Sequence, residues 1–363
     1  MAYTTIDKSE DYFNTITWTG DGSRPVSITG VGFQPDMVWA KNRSPDAFEH
    51  KLYDSSRGAG SDKELTPNEP YYEGESNADT YGYLSSFDSD GFSSTDSNYN
   101  AYFNKSGTTY VAWNWKANAG STSSNTDGSI TSTVQANTNA GFSIVTYTGN
   151  STSGATFGHG LGVAPSMVIV KKRSATPLAD NWGVWHQGLT SAAYYLLLNS
   201  TAAQANSWNI WNSTAPSSSL VTLGNDSTGN YNGQPYVAYC FAEKQGYSKF
   251  GKYTGNGNAN GTFVYTGFKP AFLIIKNADR TTNWVMYDIK REPFNEMVKE
   301  LQPNTTAAEN NDSPYSNIDF LSNGFKLRGT GYNANLASGE KFIYMAFAEN
   351  PFVTSTGIPT TAR

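Results

Sequence analysis

Gly32-Phe33-Gln34-Pro35-Asp36-Met37-Val38-Trp39-Ala40-Lys41 decides the reading, because two later stretches follow the same plan. They are Gly162-Val163-Ala164-Pro165-Ser166-Met167-Val168-Ile169-Val170-Lys171 and Gly267-Phe268-Lys269-Pro270-Ala271-Phe272-Leu273-Ile274-Ile275-Lys276. Proline to lysine is six residues each time. A short apolar run behind a proline and ended by a charge reads as a buried strand, with the proline at its first position, where no ladder N–H is lost.

The correspondence extends in both directions. Upstream stand Trp18-Thr19-Gly20, Tyr147-Thr148-Gly149 and Tyr253-Thr254-Gly255, with 15, 16 and 15 residues from glycine to proline. Downstream come the aromatic segments 50–54, 181–186 and 283–288, and then alternating strands ending at Trp115, Phe241 and Phe347. Proline to that last aromatic measures 80, 76 and 77 residues. A unit of about 110 residues exceeds the roughly 20–50 of solenoid or propeller repeats, so each copy should carry its own core, as beads on a string or as a packed trio.

The expected fold is therefore all-β, three tandem β-sandwich domains of jelly-roll or lectin-like topology. The expected divisions are 1–118, a linker at 119–127, 128–246 and 247–363, with the second copy's first strand at 128–134. One helix is expected at 292–301, where Phe294, Met297, Val298 and Leu301 keep helical spacing.

Composition agrees with short strands and many turns: 14% of residues are aromatic, 15% are charged, and Gly is abundant at 34. A net charge of −6 without a basic block excludes a nucleic-acid partner. A single cysteine, Cys240, rules out an internal disulfide framework and fits synthesis in a cytoplasm. No signal-like N-terminus or long apolar run is present, so membrane insertion is not expected.

Signs of catalysis are weak. Three histidines and one cysteine do not form a metal-ligand pattern, and neither metal nor cofactor is expected. Gly158-His159-Gly160-Leu161-Gly162 lacks the Lys-Ser/Thr of a phosphate loop, and Asp88-Ser89-Asp90-Gly91 lacks the closing glutamate of a calcium loop. Asp54 and Asp288 sit beside aromatics as glycosidase carboxylates could, but each occupies the same place in a different copy, three residues before Arg57 and Arg291. A recurring structural ion pair explains them more simply, and no enzymatic activity is expected. Tyr71, Tyr72, Tyr81, Tyr83, Trp182, Trp185, Trp208 and Trp211, in or beside polar loops, are the candidate binding residues. The competing reading places most of them in the cores.

Gly30 to Ser44, Gly141 to Gly149, and Gly158 to Gly162 with Pro165 and Lys171-Lys172-Arg173 together resemble a repeat domain of marine tailed-phage structural proteins, often labelled tail-fibre-like. The resemblance spans nearly the whole chain and implies a virion location after synthesis in the host cytoplasm. It implies other virion proteins and a host-surface glycan or protein as partners, with the chain present as a symmetric oligomer or in multiple copies. A tail-associated role in host recognition is the first expectation, capsid decoration or head fibre the second, and a polysaccharide depolymerase the third.

Overall fold

The computed structural model describes residues 4–350 apart from 47, 96–99, 176–179, 311–316, 332 and 337–338. Each copy of the sequence pattern builds an antiparallel sheet with one order of four strands, opening, closing, proline and aromatic, which in the second copy is extended at both edges to eight strands. In the first copy these are Phe13–Thr19, Thr109–Trp115, Met37–Asn42 and Lys51–Asp54. In the second they are Phe142–Thr148, Pro235–Phe241, Met167–Lys172 and Gly183–His186. In the third they are Ser248–Thr254, Lys341–Ala348, Pro270–Asn277 and Trp284–Asp288. Registers match too, pairing Trp39 with Trp113, Ile169 with Tyr239 and Ile274 with Met345.

The proline strands read as continuous apolar runs because both their faces are buried. Successive side chains of a strand point to opposite faces. Val38, Ala40, Tyr53 and Ala112 thus face an outer core of the first copy, beneath a small sheet of Val26–Thr29, Gly91–Ser94 and Leu84–Asp88. Outer cores in the second and third copies lie beneath Thr156–Gly158 with Leu220–Thr222, and beneath Phe263–Tyr265, Gly324–Leu327 and Ile318–Leu321.

Each copy thus has a core of its own, and the inner faces meet as a packed trio. Trp39, Trp113 and Trp115, Ile169, Tyr239 and Phe241, and Ile274, Met345 and Phe347 all enter one central cluster. The three closing aromatics meet there: ring centroids lie 6.3 Å apart for Trp115–Phe241, 5.9 Å for Trp115–Phe347 and 6.4 Å for Phe241–Phe347. Equivalent residues at the corners of a nearly equilateral triangle define a pseudo-threefold axis. At about 1.5–3 kcal/mol for each large side chain buried, this shared core is a major stabilising term that no copy could supply alone.

Two local expectations fail. Part of the expected linker, Ser123–Asn125, is a strand on the edge of the second copy's sheet, paired with Ser132–Asn137. The connector is tied down because the buried Asp36 carboxylate accepts hydrogen bonds from the backbone N–H groups of Ala117, Ala119 and Gly120 and from Gln135 Nε2. Residues 292–301 form no helix: Met297 and Leu301 make β-bridges to Ile318 and Met286, while Phe294 points to solvent. Long-range pairing overrides the helical spacing there. The α-helices among the described residues, Ala78–Tyr81, Trp208–Trp211 and Ser227–Asn230, are one turn each.

Candidate functional site

The residues with the most tempting chemistry lie where copies meet. Asp54 accepts a 2.5 Å hydrogen bond from Arg57 Nε and a 2.7 Å one from the Tyr239 hydroxyl of the second copy. Arg57 Nη1 reaches Glu73 at 2.7 Å, and Glu73 also accepts from Arg173 Nε of the second copy at 2.8 Å. The third copy meets the first in the same way. Asp288 accepts from Arg291 Nε at 2.6 Å and from Trp113 Nε1 at 3.0 Å, while Glu309 bridges Arg291 and Arg43. The side chains of both Asp–Arg pairs are fully buried, and the aspartates stand in separate junctions, so they do not flank a common substrate space.

The junction of copies two and three has the same backbone contact and none of the charges. Glu73 N bonds Arg173 O, Glu309 N bonds Arg43 O, and Gln204 N bonds Ala278 O. At the places of Asp, Arg and the Trp or Tyr donor stand His186, Leu189 and Met345, all buried. His186 Nε2 contacts Tyr344 O at 3.1 Å, and burial pushes this histidine down to about 4, which keeps it neutral near pH 7.

The lysines that end the proline strands are also junction residues. Counting by twos from Met37 and Trp39 puts Lys41 on the inner face. Lys41 Nζ reaches Thr306 O of the third copy at 3.1 Å, Lys171 Nζ reaches Pro70 O of the first at 3.0 Å, and Lys276 Nζ reaches Thr201 O of the second at 3.2 Å. Burial pushes each of these amines down to about 7. The acceptors follow a further repeated motif, not among those that set the strand pattern: Leu65-Thr66-Pro67-Asn68, Leu196-Leu197-Leu198-Asn199 and Leu301-Gln302-Pro303-Asn304. Its asparagine accepts from the backbone N–H of His50, Trp182 and Trp284 in turn.

Three of the candidate aromatics prove to be structural. Trp182 is fully buried in the central core and donates its indole N–H to Thr66 O and Glu69 O of the first copy. Trp185 and Trp211 fill the second copy's outer core. Polar residues flank all three in sequence, but the alternation of the Gly183–His186 strand turns Trp185 inward and the Trp208–Trp211 helical turn buries Trp211. Trp208, in the same helical turn as Trp211, is 53% exposed. Tyr83 packs on the first copy's outer core, and Tyr72 is half-buried. The Asp88–Asp90 turn is a hairpin: Asp90 accepts from Gly30 N and Gly32 N, and Asp88 from Ser86 and Ser93. Among the described residues, no group of three or more His, Cys, Asp or Glu is disposed to hold a metal ion.

Tyr71 and Tyr81 do come together, in a cavity of about 470 Å³ in the first copy that they share with Asp46, Phe48, Glu49, Glu75, Ser76, Asn77 and Tyr102. That volume is within the range of small-ligand sites. Phe48, Tyr81 and Tyr102 form a closed aromatic wall, with centroids 5.6 Å apart for Phe48–Tyr81, 5.6 Å for Phe48–Tyr102 and 5.5 Å for Tyr81–Tyr102. The Tyr102 hydroxyl has two acceptors within reach of its one hydrogen, Ser76 O at 3.0 Å and the Glu49 carboxylate at 3.2 Å. Burial, then the nearby Glu69, Glu49 and Glu75 charges, push the Tyr71 hydroxyl up. Behind the wall, the Lys51 ammonium lies 3.9 Å from the Tyr102 ring centroid and 3.4 Å from Glu64. Both loops of the cavity are anchored by junction residues: Phe48 O accepts from Lys41 Nζ at 2.7 Å, and Pro70 O and Glu73 are held by Lys171 and Arg173.

A family model matches residues 8–351, covering all three copies in one span. The chain belongs to the family described as Domain of unknown function (DUF7483). No curated protein and no solved structure matches the chain.

Proposed function

We propose that the chain is a non-enzymatic structural and binding protein of a bacteriophage particle, tail-associated and engaged in host-surface recognition. The observation that carries this reading is the triangle of Trp115, Phe241 and Phe347, around which one chain arranges three like sheets. Such a chain is a covalent counterpart of a cyclic trimer and suits a partner with threefold symmetry. The resemblance of its repeat to tail-fibre-like phage proteins supports the same setting. A non-enzymatic role is supported by Asp54 and Asp288, which are consumed in junction ion pairs. The first copy's aromatic cavity is the surface proposed to meet the host.

A density map of the particle, with the copy number of the chain, tests this. A dozen or fewer copies on the tail is the expected result. Hundreds of copies on the shell would replace the tail role with capsid decoration, and absence from the particle would overturn the reading.

A further inference from the structure

The cavity of the first copy has a definite chemical bias. Its mouth carries Glu49 and Glu75, and neither Lys nor Arg is among its lining residues. Asp46 is matched by Lys105, 2.6 Å away, so Glu49 and Glu75 set the sign of the site. Glu75 is oriented by the Tyr72 N–H at 2.8 Å, and Glu49 by the Tyr102 hydroxyl. The wall opposite them is the Phe48–Tyr81–Tyr102 triangle.

Aromatic faces are electron-rich and attract an ammonium group within about 6 Å, by about 0.5–2 kcal/mol each. This wall already does so on its buried side, where Lys51 sits over Tyr102. An anionic ligand would meet two carboxylates there, and a purely apolar one would strip them of water without return. The cavity is also too large for a bare inorganic cation, and its carboxylates are not grouped as metal ligands.

We propose that this cavity binds a hexosamine with a free amine, its ammonium set between Glu49, Glu75 and the aromatic wall and its hydroxylated ring toward Asn77. The proposal rests on the recognition role given above only for its biological setting, because the binding is a property of the isolated chain. The two loops are held in place before any ligand arrives, by Lys41 on one side and by Lys171 and Arg173 on the other. Preorganisation of this kind lowers the ordering cost of binding.

Titration of the purified full chain with glucosamine, N-acetylglucosamine and glucose, followed by calorimetry and by NMR shifts, provides the test. The expected result is saturable glucosamine binding about tenfold tighter than that of the acetylated sugar or glucose, weakening with added salt. Glu49→Gln is expected to reduce the preference for glucosamine, and Tyr81→Ala to weaken binding of all three sugars, each titrated below the variant's own unfolding midpoint. Equal affinity for the three sugars, no binding of any, or shifts mapping away from Phe48 and Tyr81 would overturn it. These outcomes are independent of where the chain sits in a particle, so a failed titration leaves the virion reading intact. Absence from the particle, conversely, leaves the titration result intact.

Discussion

The junction between copies one and two and the junction between copies two and three perform the same task with opposite chemistry. The first holds Asp54, Arg57, Glu73, Arg173 and Tyr239 in a buried, hydrogen-bonded charge network. The second puts His186, Leu189, Gln204, Ala278 and Met345 at the same five places. Every member changed, and none was left as an isolated charge. That pattern follows from the energetics of burial: a complete charge network or a complete uncharged set is tolerated, and a fragment of a network is not. The likeness of the backbone contacts on both sides indicates that the geometry comes from the shared sheets, with the side chains adapting to it.

The largest expected effect comes from breaking one network. Arg57→Leu leaves Asp54 and Glu73 buried without their shared partner and should cost about 3–5 kcal/mol in denaturant unfolding. Leu189→Arg, the opposite error in the neutral junction, should be comparably harmful, because no carboxylate waits for it at His186 or Gln204. Transplanting the whole neutral set, Asp54→His, Arg57→Leu, Glu73→Gln, Arg173→Ala and Tyr239→Met, should recover most of the loss from Arg57→Leu. A quintuple variant as unstable as the single one would show that the two junctions are not interchangeable.

Next in size are the lysines shared by all three junctions. Lys41→Met, Lys171→Met or Lys276→Met leaves buried carbonyls unpaired and should each cost about 1–3 kcal/mol. Their pH dependence has a definite sign. With each amine near 7 in the folded chain and near 10.4 when unfolded, the unfolded state binds more protons between those values. Stability should therefore rise from pH 7 toward pH 10, and the three lysine variants together should flatten that rise in urea titrations. The smallest effect belongs to Phe263 and Tyr265, exposed on a strand whose counterparts carry Ser27 and Thr29 in the first copy and Thr156 and Gly158 in the second. Replacing Phe263 by Ser and Tyr265 by Thr should shift the unfolding midpoint by about 0.5 kcal/mol or less.

Much of this architecture was legible in the sequence. The Pro-to-Lys spacing located the buried strands, and the distance to Trp115, Phe241 and Phe347 located the closing ones. Period-two counting also held the lysines' inward orientation, which reading them as a charged strand end concealed. The Leu-x-x-Asn motif was equally visible at 65–68, 196–199 and 301–304. The sharing of the inner core was not legible, since a strand buried by its own sandwich and one buried by a neighbour present the same apolar run. The cavity was only half legible: Tyr71 and Tyr81 were found as aromatics in polar loops, but Phe48 and Tyr102 come from distant segments that only the fold brings together.

The central claim is that the three copies are one folding unit built around a common core. Differential scanning calorimetry of the full chain tests it most directly. A single transition with equal calorimetric and van't Hoff enthalpies is expected. Three resolved transitions, or a calorimetric enthalpy about three times the van't Hoff value, would mean that the copies melt independently and would contradict it.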